Sequence, residues 1–356
     1  MSAVSDRERT SAAHAAPVVI GLSAVIIAIR QNEAVVLTVR PHDARTSGPS
    51  TLVGLPFGPF DPEGRRTFEL ALRAFVAEQT RFELGYVEQL YTFGDRGRDA
   101  PVADIGAIGG AIGGAIDGTA AARVISVGYL ALTPRPVDTH APDTAWSPWT
   151  RFFPWEDWRR GRPALLDEAI APALRSWAAR ARGAEAEQRW SRARLLFALD
   201  GAPWNEERVL ERYELLYEAG VTPEAERDHE RAAGRPAPEP APVSPFGEPM
   251  ISDHRRILAT GLGRLRGKLK YRPVVFELTP PEFTLSRLQR SVEAISGVAL
   301  HKQNFRRGVE RTGLVEGLGR WDVETGGRPA ELFRFRRELL NALPVSGLSL
   351  PQQREG

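Results

Sequence analysis

Residues 283–337 constrain the fold of this chain more than any other stretch. Four apolar residues recur there at steps of three and four, which places them on one face of a helix: Leu285, Leu288, Val292 and Ile295. Thr284 before them is a typical N-cap, and Gly297 after them is a typical C-terminal breaker. A second helix is predicted from about His301 to Thr312. Two short amphipathic helices joined by a tight turn indicate a helix-turn-helix.

The outer face of the second helix is basic and rich in amides. Its candidate DNA-binding residues are His301, Lys302, Gln303, Asn304, Arg306 and Arg307. Arg and Lys side chains bind guanine edges or phosphates, and Gln or Asn pairs with adenine in the major groove. A small helical core with solvated basic side chains is the alternative interpretation, because charge on an exposed face is usually only solvated.

A hairpin follows the two helices and reads as a wing. Residues 314–316 and 332–335 are its predicted strands, and Gly-Gly-Arg-Pro at 326–329 is its turn. Arg328 is the candidate contact of this turn with phosphate or the minor groove. Residues 251–340 hold 18 Lys and Arg against 10 Asp and Glu, whereas the whole chain has a net charge of only +2. The stretch therefore predicts a winged helix-turn-helix that binds double-stranded DNA.

Composition sets wider limits on the class of protein. With 356 residues, 42% of them hydrophobic and 26% charged, the chain is long enough for two globular domains. It has no cysteine, so disulfides and thiolate metal sites are excluded, and a reducing cytoplasm is the expected setting. The first 16 residues lack the apolar core of a signal peptide, and no apolar run is long enough to span a membrane. The six histidines are scattered, so we predict no metal site.

Residues 17–222 predict a layered α/β domain. Two β-branched strands flank a turn at residues 31–33, and two further strand patterns cover 86–93 and 124–132. A helix is predicted to begin at Thr67, between these two pairs. Further helices are predicted at residues 165–180, 206–219 and 252–271. The last of these helices runs into the winged domain, so we expect it to transmit any conformational coupling between the α/β domain and the winged domain.

Three segments depart from this regular pattern. The Gly-rich repeat at 106–122 is predicted to be a mobile insertion rather than a phosphate-binding loop, because no Lys-Ser or Lys-Thr follows it. The aromatic cluster at 146–158 is predicted to pack as a cap or a dimer surface, with adenine stacking as the alternative. Residues 223–250 are predicted to be a Pro-rich linker or loop. The predicted order is a tail (1–16), an effector domain (17–222), the linker (223–250), a connecting helix (251–271), the winged domain (272–340) and a second tail (341–356).

The segment LPFGPFDPEGRRTFELALRAFVAEQT resembles a Nudix box, in which carboxylates on a loop-helix-loop bind a divalent metal that polarises a diphosphate. In this resemblance Phe75 and Gln79 replace two glutamates, Arg81 replaces a glycine, and Glu78 alone remains of three carboxylates. A single carboxylate provides too few hard oxygen ligands for the metal. We therefore expect no catalytic residue and no metal, and a domain that senses a nucleotide instead of hydrolysing it.

With the winged helix, the chain resembles the Nudix-related transcriptional regulators of NAD metabolism, and more narrowly the alphaproteobacterial NAD regulators. The segments YVEQLYTFGDRGRD, RLRGKLKYRPVVFEL, LHKQNFRR and GGRPAELFRFRRE carry this resemblance. It implies an α+β fold, with an N-terminal Nudix-like α/β/α sandwich, a helical insertion and a C-terminal winged helix-turn-helix. It also implies a homodimeric repressor on palindromic operators of NAD-biosynthesis genes. ADP-ribose or a related nucleotide would release it, with no cofactor required.

The effector is expected to bind the Nudix-like domain near eight residues: Phe57, Gly58, Glu78, Gln79, Asp95, Arg96, Arg98 and Asp99. The last four lie in a loop after a strand, where recognition residues concentrate, and the two arginines there can pair with a diphosphate. Solvated loop charges are the alternative for both arginines. Two other functions stay open for the chain. One is an active Nudix nucleotide-diphosphate hydrolase with an appended nucleic-acid-binding domain, and the other is a metal-free nucleotide-binding module that docks RNA or protein.

Overall fold

The computed structural model describes residues 18–40, 42–43, 48–49, 52–60, 64, 66–81, 83–95, 98, 123–136, 141, 143–236, 238, 244–322 and 329–341. The predictions for the tail 1–16, the Gly-rich segment 106–122 and the tail from residue 342 lie outside these residues. So do the site predictions for Arg96, Asp99 and Arg328.

A mixed six-stranded β-sheet forms the centre of the N-terminal domain. Its strands are β1 (Val18–Arg30), β2 (Glu33–Val39), β5 (Phe57–Pro59), β6 (Tyr86–Phe93), β7 (Arg123–Leu132) and β8 (Thr144–Pro148), while the short β3 (His42–Asp43) and β4 (Gly48–Pro49) pair with each other. The order across the sheet is β6-β7-β1-β2-β8, and β5 pairs with β1. β1 runs parallel to β7 and antiparallel to β2 and β5. Gln31 and Asn32 both have positive φ, as a two-residue hairpin turn requires, so the predicted β1–β2 hairpin is confirmed.

Eight α-helices surround this sheet or follow it in the described residues. They are α1 (Phe68–Thr80), α2 (Ala171–Ala179), α3 (Ala184–Phe197), α4 (Val209–Glu218), α5 (Pro223–Ala232), α6 (His254–Tyr271), α7 (Leu285–Ser296) and α8 (Lys302–Thr312). Shorter helical turns cover Trp149–Arg151, Pro154–Glu156, Leu166–Ile170, Val274–Leu278 and Arg337–Asn341.

The two faces of β1 are covered by different helices, and this makes the sandwich. Leu22 and Ile26 pack in the same cluster as α1, whereas Val25 packs with α6. Gly261 lets α6 lie close to the sheet, because a Cβ added there would be 3.0 Å from Val25 Cγ1. Thr67 caps α1 by accepting the Leu70 amide at 3.2 Å, as an N-cap threonine does. The predicted α/β/α arrangement is therefore present.

The helical insertion lies between β8 and α6. The predicted helix at 165–180 begins with a π-helical turn, Leu166–Ile170, because Pro172 has no N–H to donate to the carbonyl four residues earlier. The structure corrects the linker prediction for residues 223–232, which form α5. Thr222 accepts the Ala225 amide as an N-cap, and Glu224 is buried, so the prolines farther along do not prevent this helix.

The packing predicted for the aromatic cluster is confirmed, although its buried members lie inside the chain and not on a dimer surface. Trp149, Phe152, Phe153 and Trp155 are all buried. They lie in the main hydrophobic cluster, between the helical insertion, α6 and the winged domain.

The winged domain comprises β9 (Glu282–Thr284), α7, α8, β10 (Val315–Asp322) and β11 (Ala330–Phe335). The strands form an antiparallel sheet in the order β10-β11-β9. Thr284 caps α7 by accepting the Arg287 amide at 3.2 Å, and Gly297 ends that helix in the left-handed region with φ of 74°. Phe305 and Val309 of α8 face the core. Both predicted helices and the hairpin are confirmed, whereas the pairing of β9 with the hairpin was not predicted.

Candidate nucleic-acid interface and nucleotide cleft

The outer face of α8 is exposed and carries unpaired cations. Its exposed residues are His301, Lys302, Gln303, Asn304, Arg307, Glu310 and Arg311. Within the part of the chain that the structure describes, neither Lys302, Arg307 nor Arg311 forms an ion pair with a carboxylate. Such cations can neutralise phosphates without first breaking an internal bond.

Arg306 differs from the other predicted residues of this face, because it is only partly exposed. Its Nη2 donates to Ser286 Oγ at 3.4 Å, at the start of α7. Its Nε is buried and has no hydrogen-bond partner among the described residues. Arg306 therefore lies between α7 and α8 in this structure and would have to leave Ser286 to reach a base.

Two arginines of the wing strands are paired with carboxylates of the same β-sheet. Arg320 lies 2.5 Å from Glu282, and Arg334 pairs with Glu316. Trp321, which follows Arg320 on β10, is 59% exposed. The wing thus has fewer free positive charges than its arginine count indicates.

A small cleft opens at the N-terminal end of α6, with a cavity volume of about 10 Å³, the space of a single water. It is lined by Phe57, Phe93, Gly94, Asp95, Val124, Ser126, Ser252, Asp253 and His254. The structure thus brings Phe57 and Asp95, predicted as effector-binding residues, to one cavity. Sequence reasoning missed Ser252, Asp253 and His254, although Ser252-Asp253 directly before a long helix was the available signal of an N-terminal helix end.

The residues that replace the Nudix glutamates have structural contacts. Gln79 Nε2 donates to the Phe57 carbonyl at 2.7 Å, and Gln79 Oε1 lies 3.4 Å from the Phe57 amide, so this side chain holds β5 against α1. The Phe75 ring covers Gly58, where an added Cβ would be 3.0 Å from Phe75 Cγ. Glu78 is exposed. Among the described residues, no group of three or more His, Asp or Glu side chains is arranged to hold a metal ion.

Arg98 is an ion-pairing residue, so the interpretation of it as a solvated loop charge is wrong, while its contact with the effector stays a prediction. Its guanidinium donates to both Glu214 oxygens at 2.9 and 3.2 Å, and Nε lies 3.4 Å from Asp253. It also stacks on the Tyr217 ring, 3.8 Å from the centroid. Arg98 is therefore not a solvated charge, because α4 and the start of α6 supply acidic partners to it, and a diphosphate would have to compete with them.

Arg256 extends this ion-pair network to the rim of the cleft. It lies 2.6 Å from Asp95, 2.8 Å from Glu214 and 3.2 Å from Asp253. The network contains two guanidinium groups and three carboxylates, so its formal charge is negative. Burial raises the pKa of Asp253 to about 6, although Arg98 and Arg256 act in the opposite direction.

His254 is buried beside Asp253, and it is neutral. Burial lowers the pKa of its imidazole to about 3. Its Nδ1 accepts the Leu55 amide at 2.9 Å, so the ring proton is on Nε2. The ring meets Phe57 edge-on, with the centroids 5.2 Å apart.

A buried ion-pair cluster connects the aromatic segment, α4 and α6. Glu156 is fully buried, and its carboxylate lies 2.5 Å from Arg212 Nε and 2.5 Å from Arg266 Nη1. Two arginines on one carboxylate leave an excess positive charge, which the Asn205 and Glu206 carbonyls partly offset by accepting hydrogen bonds from these arginines.

The C-terminal end of α7 is capped from outside the winged domain. Trp149 Nε1 donates to the Ala294 carbonyl at 2.9 Å, Arg266 Nε to that of Ile295 at 2.9 Å, and the Trp158 amide to that of Gly297 at 2.6 Å. The last carbonyls of a helix have no intrahelical donor. The N-terminal domain and α6 thus fix how the helix-turn-helix is oriented.

The family comparison points to the winged domain. Residues 275–335 match the NrtR DNA-binding winged helix domain. The winged helix is of the NrtR type. The ADPR responsive transcriptional repressor NtrR of Acinetobacter baylyi is 40% identical to this chain over 83 residues, which are 23% of this chain and 33% of that protein. The chain therefore matches about one third of the length of that curated relative.

Solved NrtR structures share the overall fold. Shewanella oneidensis NrtR complexed with a 27mer DNA has a TM-score of 0.52 at 19% identity, over 94% of this chain and 99% of that chain. Shewanella oneidensis NrtR without DNA has a TM-score of 0.50 at 19% identity, over 89% and 94%. The predicted fold class is confirmed, and the predicted resemblance to Nudix-related regulators is confirmed for the winged helix, while the narrower alphaproteobacterial resemblance stays a prediction. None of the helices that the structure describes has the length and apolarity needed to cross a membrane.

Proposed function

We propose that this protein is a sequence-specific DNA-binding repressor of genes of NAD metabolism, regulated by ADP-ribose or a related nucleotide. The observation that carries this proposal is the unpaired basic face of α8 in a winged helix of the NrtR type. The effector is proposed because the relative from Acinetobacter baylyi is an ADPR responsive transcriptional repressor.

DNA recognition is assigned to α8. Lys302 and Arg307 are suited to phosphates or guanine, and Gln303 and Asn304 are suited to adenine, because these side chains are exposed in the first two turns of α8. His301 is the N-cap of α8, Arg306 would join these residues after leaving Ser286, and Arg328 would contact phosphate or the minor groove from the wing. A homodimer on a palindromic operator in the cytoplasm completes the proposal.

The Nudix-like domain is proposed to bind its nucleotide without hydrolysing it. This is supported by Phe75 and Gln79, which pack or hydrogen-bond where the Nudix box has glutamates. Purified protein with magnesium or manganese should leave ADP-ribose intact. Turnover near ~1 s⁻¹, the low end of ordinary enzymes, would establish the hydrolase alternative if Glu78→Gln abolished it.

The deciding experiment is an electrophoretic shift on the promoter DNA upstream of the protein's own gene and of its neighbours, with and without ADP-ribose. We expect sequence-dependent binding and a ~5–150-fold loss of affinity with saturating ligand, the usual range of coupling between two sites. Equal binding to scrambled DNA would overturn the repressor assignment. Calorimetric titration with ADP-ribose should show the reciprocal effect of operator DNA, and equal ligand affinity in both titrations would overturn the effector assignment.

A further inference from the structure

The turn of the β1–β2 hairpin lies against the helix-turn-helix. Asn32 in this turn is exposed, and its Oδ1 accepts a hydrogen bond from Arg290 Nε on α7 at 2.8 Å. Its backbone carbonyl accepts one from Arg159 Nη1 at 3.4 Å. Trp158, the residue before Arg159, donates its amide to the Gly297 carbonyl at the turn before α8. The hairpin of the N-terminal domain and the helix-turn-helix therefore form one joined surface.

This joined surface has an excess of positive charge. The hairpin end at 30–33, the segment 157–160 and helix α7 together hold five arginines and three carboxylates. Two of the carboxylates, Glu33 and Asp157, pair with Arg159. The third, on α7, accepts hydrogen bonds from a glutamine side chain and a backbone amide. The other four arginines are therefore left without a carboxylate partner among the described residues.

These four arginines keep their full charge available to an anion. Arg30 is exposed and donates to one backbone carbonyl at 3.1 Å, and Arg290 is exposed and donates to the amide oxygen of Asn32. Arg160 and Arg287 are exposed, and the structure pairs neither of them with a described carboxylate. A guanidinium that is bound only to a neutral oxygen can turn to a phosphate at the loss of one exposed hydrogen bond, and the new bond is charge-assisted and stronger.

We propose that the β1–β2 hairpin of the N-terminal domain is a second DNA-contacting surface, with Arg30 and Arg290 on backbone phosphates beside the bases contacted by α8. A duplex carries one negative charge per ~1.7 Å of its axis, so a backbone that continues past α8 offers phosphates to neighbouring cations. The inference rests on the proposed function and adds a contact from outside the winged domain.

Arg30→Ala and Arg40→Ala are matched variants for the first experiment. Both remove an exposed arginine that has no ion pair within the described structure. Arg40 directly follows β2, so the 7 residues of that strand separate it from the turn. The affinity of the full-length protein for the promoter duplex is measured by fluorescence anisotropy at several salt concentrations.

Arg30→Ala should lower the slope of log affinity against log salt by about 0.9, the contribution of one phosphate contact. Between about 50 and 200 mM salt, its affinity should fall about 3- to 4-fold less than that of wild type. Arg40→Ala should keep the wild-type slope. Equal slopes for wild type and Arg30→Ala would overturn the proposal, and so would equal decreases for Arg30→Ala and Arg40→Ala.

A second pair of variants separates a phosphate contact from a purely structural link between the domains. Arg290→Gln removes the charge, whereas Asn32→Gly removes the side-chain partner of Arg290 and leaves the charge in place. Glycine suits this position, because φ of Asn32 is 66°. Only Arg290→Gln should lower the salt slope, again by about 0.9. If both variants weaken binding alike at the wild-type slope, Arg290 is a structural link and the proposal fails.

The same titrations on a scrambled duplex of equal length separate this inference from the repressor assignment. A phosphate contact carries no sequence information, so the difference in slope between wild type and Arg30→Ala should appear on both duplexes. If both duplexes bind equally and the difference remains, the repressor assignment fails and the hairpin contact stands. If the promoter duplex is preferred and the difference is absent, the hairpin contact is wrong. If neither duplex binds, both assignments are wrong.

Discussion

The basic face of α8 and the wall of the cleft both carry basic side chains, but those on α8 are unpaired and those at the cleft are paired with carboxylates. On α8, Lys302 and Arg307 are exposed and unpaired within the described residues. At the cleft, Arg98 and Arg256 share three carboxylates. An unpaired cation can gain a new anionic partner, whereas a paired one must first give up its own. Arginine content alone therefore does not locate an anion-binding site, and the acidic residues around each arginine decide it.

The most strongly paired cations should show the largest effect on stability. Glu156→Gln would leave Arg212 and Arg266 buried without their shared carboxylate, and we expect the free energy of unfolding to fall by about 3–5 kcal/mol. Urea unfolding measures this. Glu248→Gln is the control, because its bidentate pair with Arg151 is exposed and contributes about 0–1 kcal/mol. Equal effects of the two variants would contradict the distinction between buried and exposed pairs.

The unpaired cations should affect DNA binding and leave folding unchanged. Arg307→Ala is expected to weaken operator binding by about 1–3 kcal/mol. Its unfolding free energy should stay within about 0.5 kcal/mol of wild type, because the side chain has no ion pair in the described structure. Arg192→Ala, on the helical insertion, is the charge-matched control. Unchanged operator affinity for Arg307→Ala and Lys302→Ala would show that α8 does not read DNA.

The pH dependence of stability separates the two buried titrating groups at the cleft. The pKa of His254 falls from 6.5 to about 3 on folding, so its contribution is present above pH 6.5 and is lost as the pH falls towards 3. The pKa of Asp253 rises from 3.8 to about 6, so the folded state gains stability as the pH falls from 6 towards 4. The two effects oppose each other between pH 4 and 6.

Asp253→Asn removes the contribution of the Asp253 titration and leaves that of His254. Between pH 6 and 4 the variant should lose stability relative to wild type by up to about 1.4 kcal/mol per pH unit, the slope for one proton. Urea unfolding across this range checks it, and the other titrating groups are common to both proteins. Parallel curves would mean that Asp253 titrates as a solvated carboxyl group.

The paired cations of the wing should have the smallest effects. Arg320→Ala is expected to change the unfolding free energy by no more than about 1 kcal/mol, because its pair with Glu282 is exposed. The salt dependence of operator binding should also stay the same. A salt slope lowered by about one would mean that Arg320 contacts a phosphate despite its carboxylate, and the comparison between free and paired cations would then fail at the wing.

The helices of the winged domain could be predicted from local sequence, because α7 begins at a capping side chain and both helices end at a glycine with positive φ. Thr284 and Gly297 are examples, and Thr67 on α1 is another. Helix α3 was not predicted, because few of its residues are buried and its composition is largely polar. Residues 223–232 were assigned to a linker because the prolines after them dominated the composition of that segment.

The cleft could be predicted only in part, for a physical reason. Phe57 and Asp95 were found from the resemblance to a Nudix box and from the strand end. The pairing of Arg98 depends on Glu214, which is 116 residues away in sequence and reaches it only through the packing of α4. No local pattern contains that information, so the charge state of the cleft had to come from the tertiary structure.

The donors at the end of α7 have a consequence for how this protein can be divided. A fragment beginning at residue 275 would lack Trp149, Trp158 and Arg266, and three carbonyls at the turn before α8 would lose their partners. The winged helix therefore depends on the N-terminal domain and α6 for these three hydrogen bonds. In the proposed dimer, the distance between the two α8 helices is then set by the N-terminal domain. The N-terminal domain would therefore determine the spacing of the operator half-sites, and α8 would determine which bases are preferred.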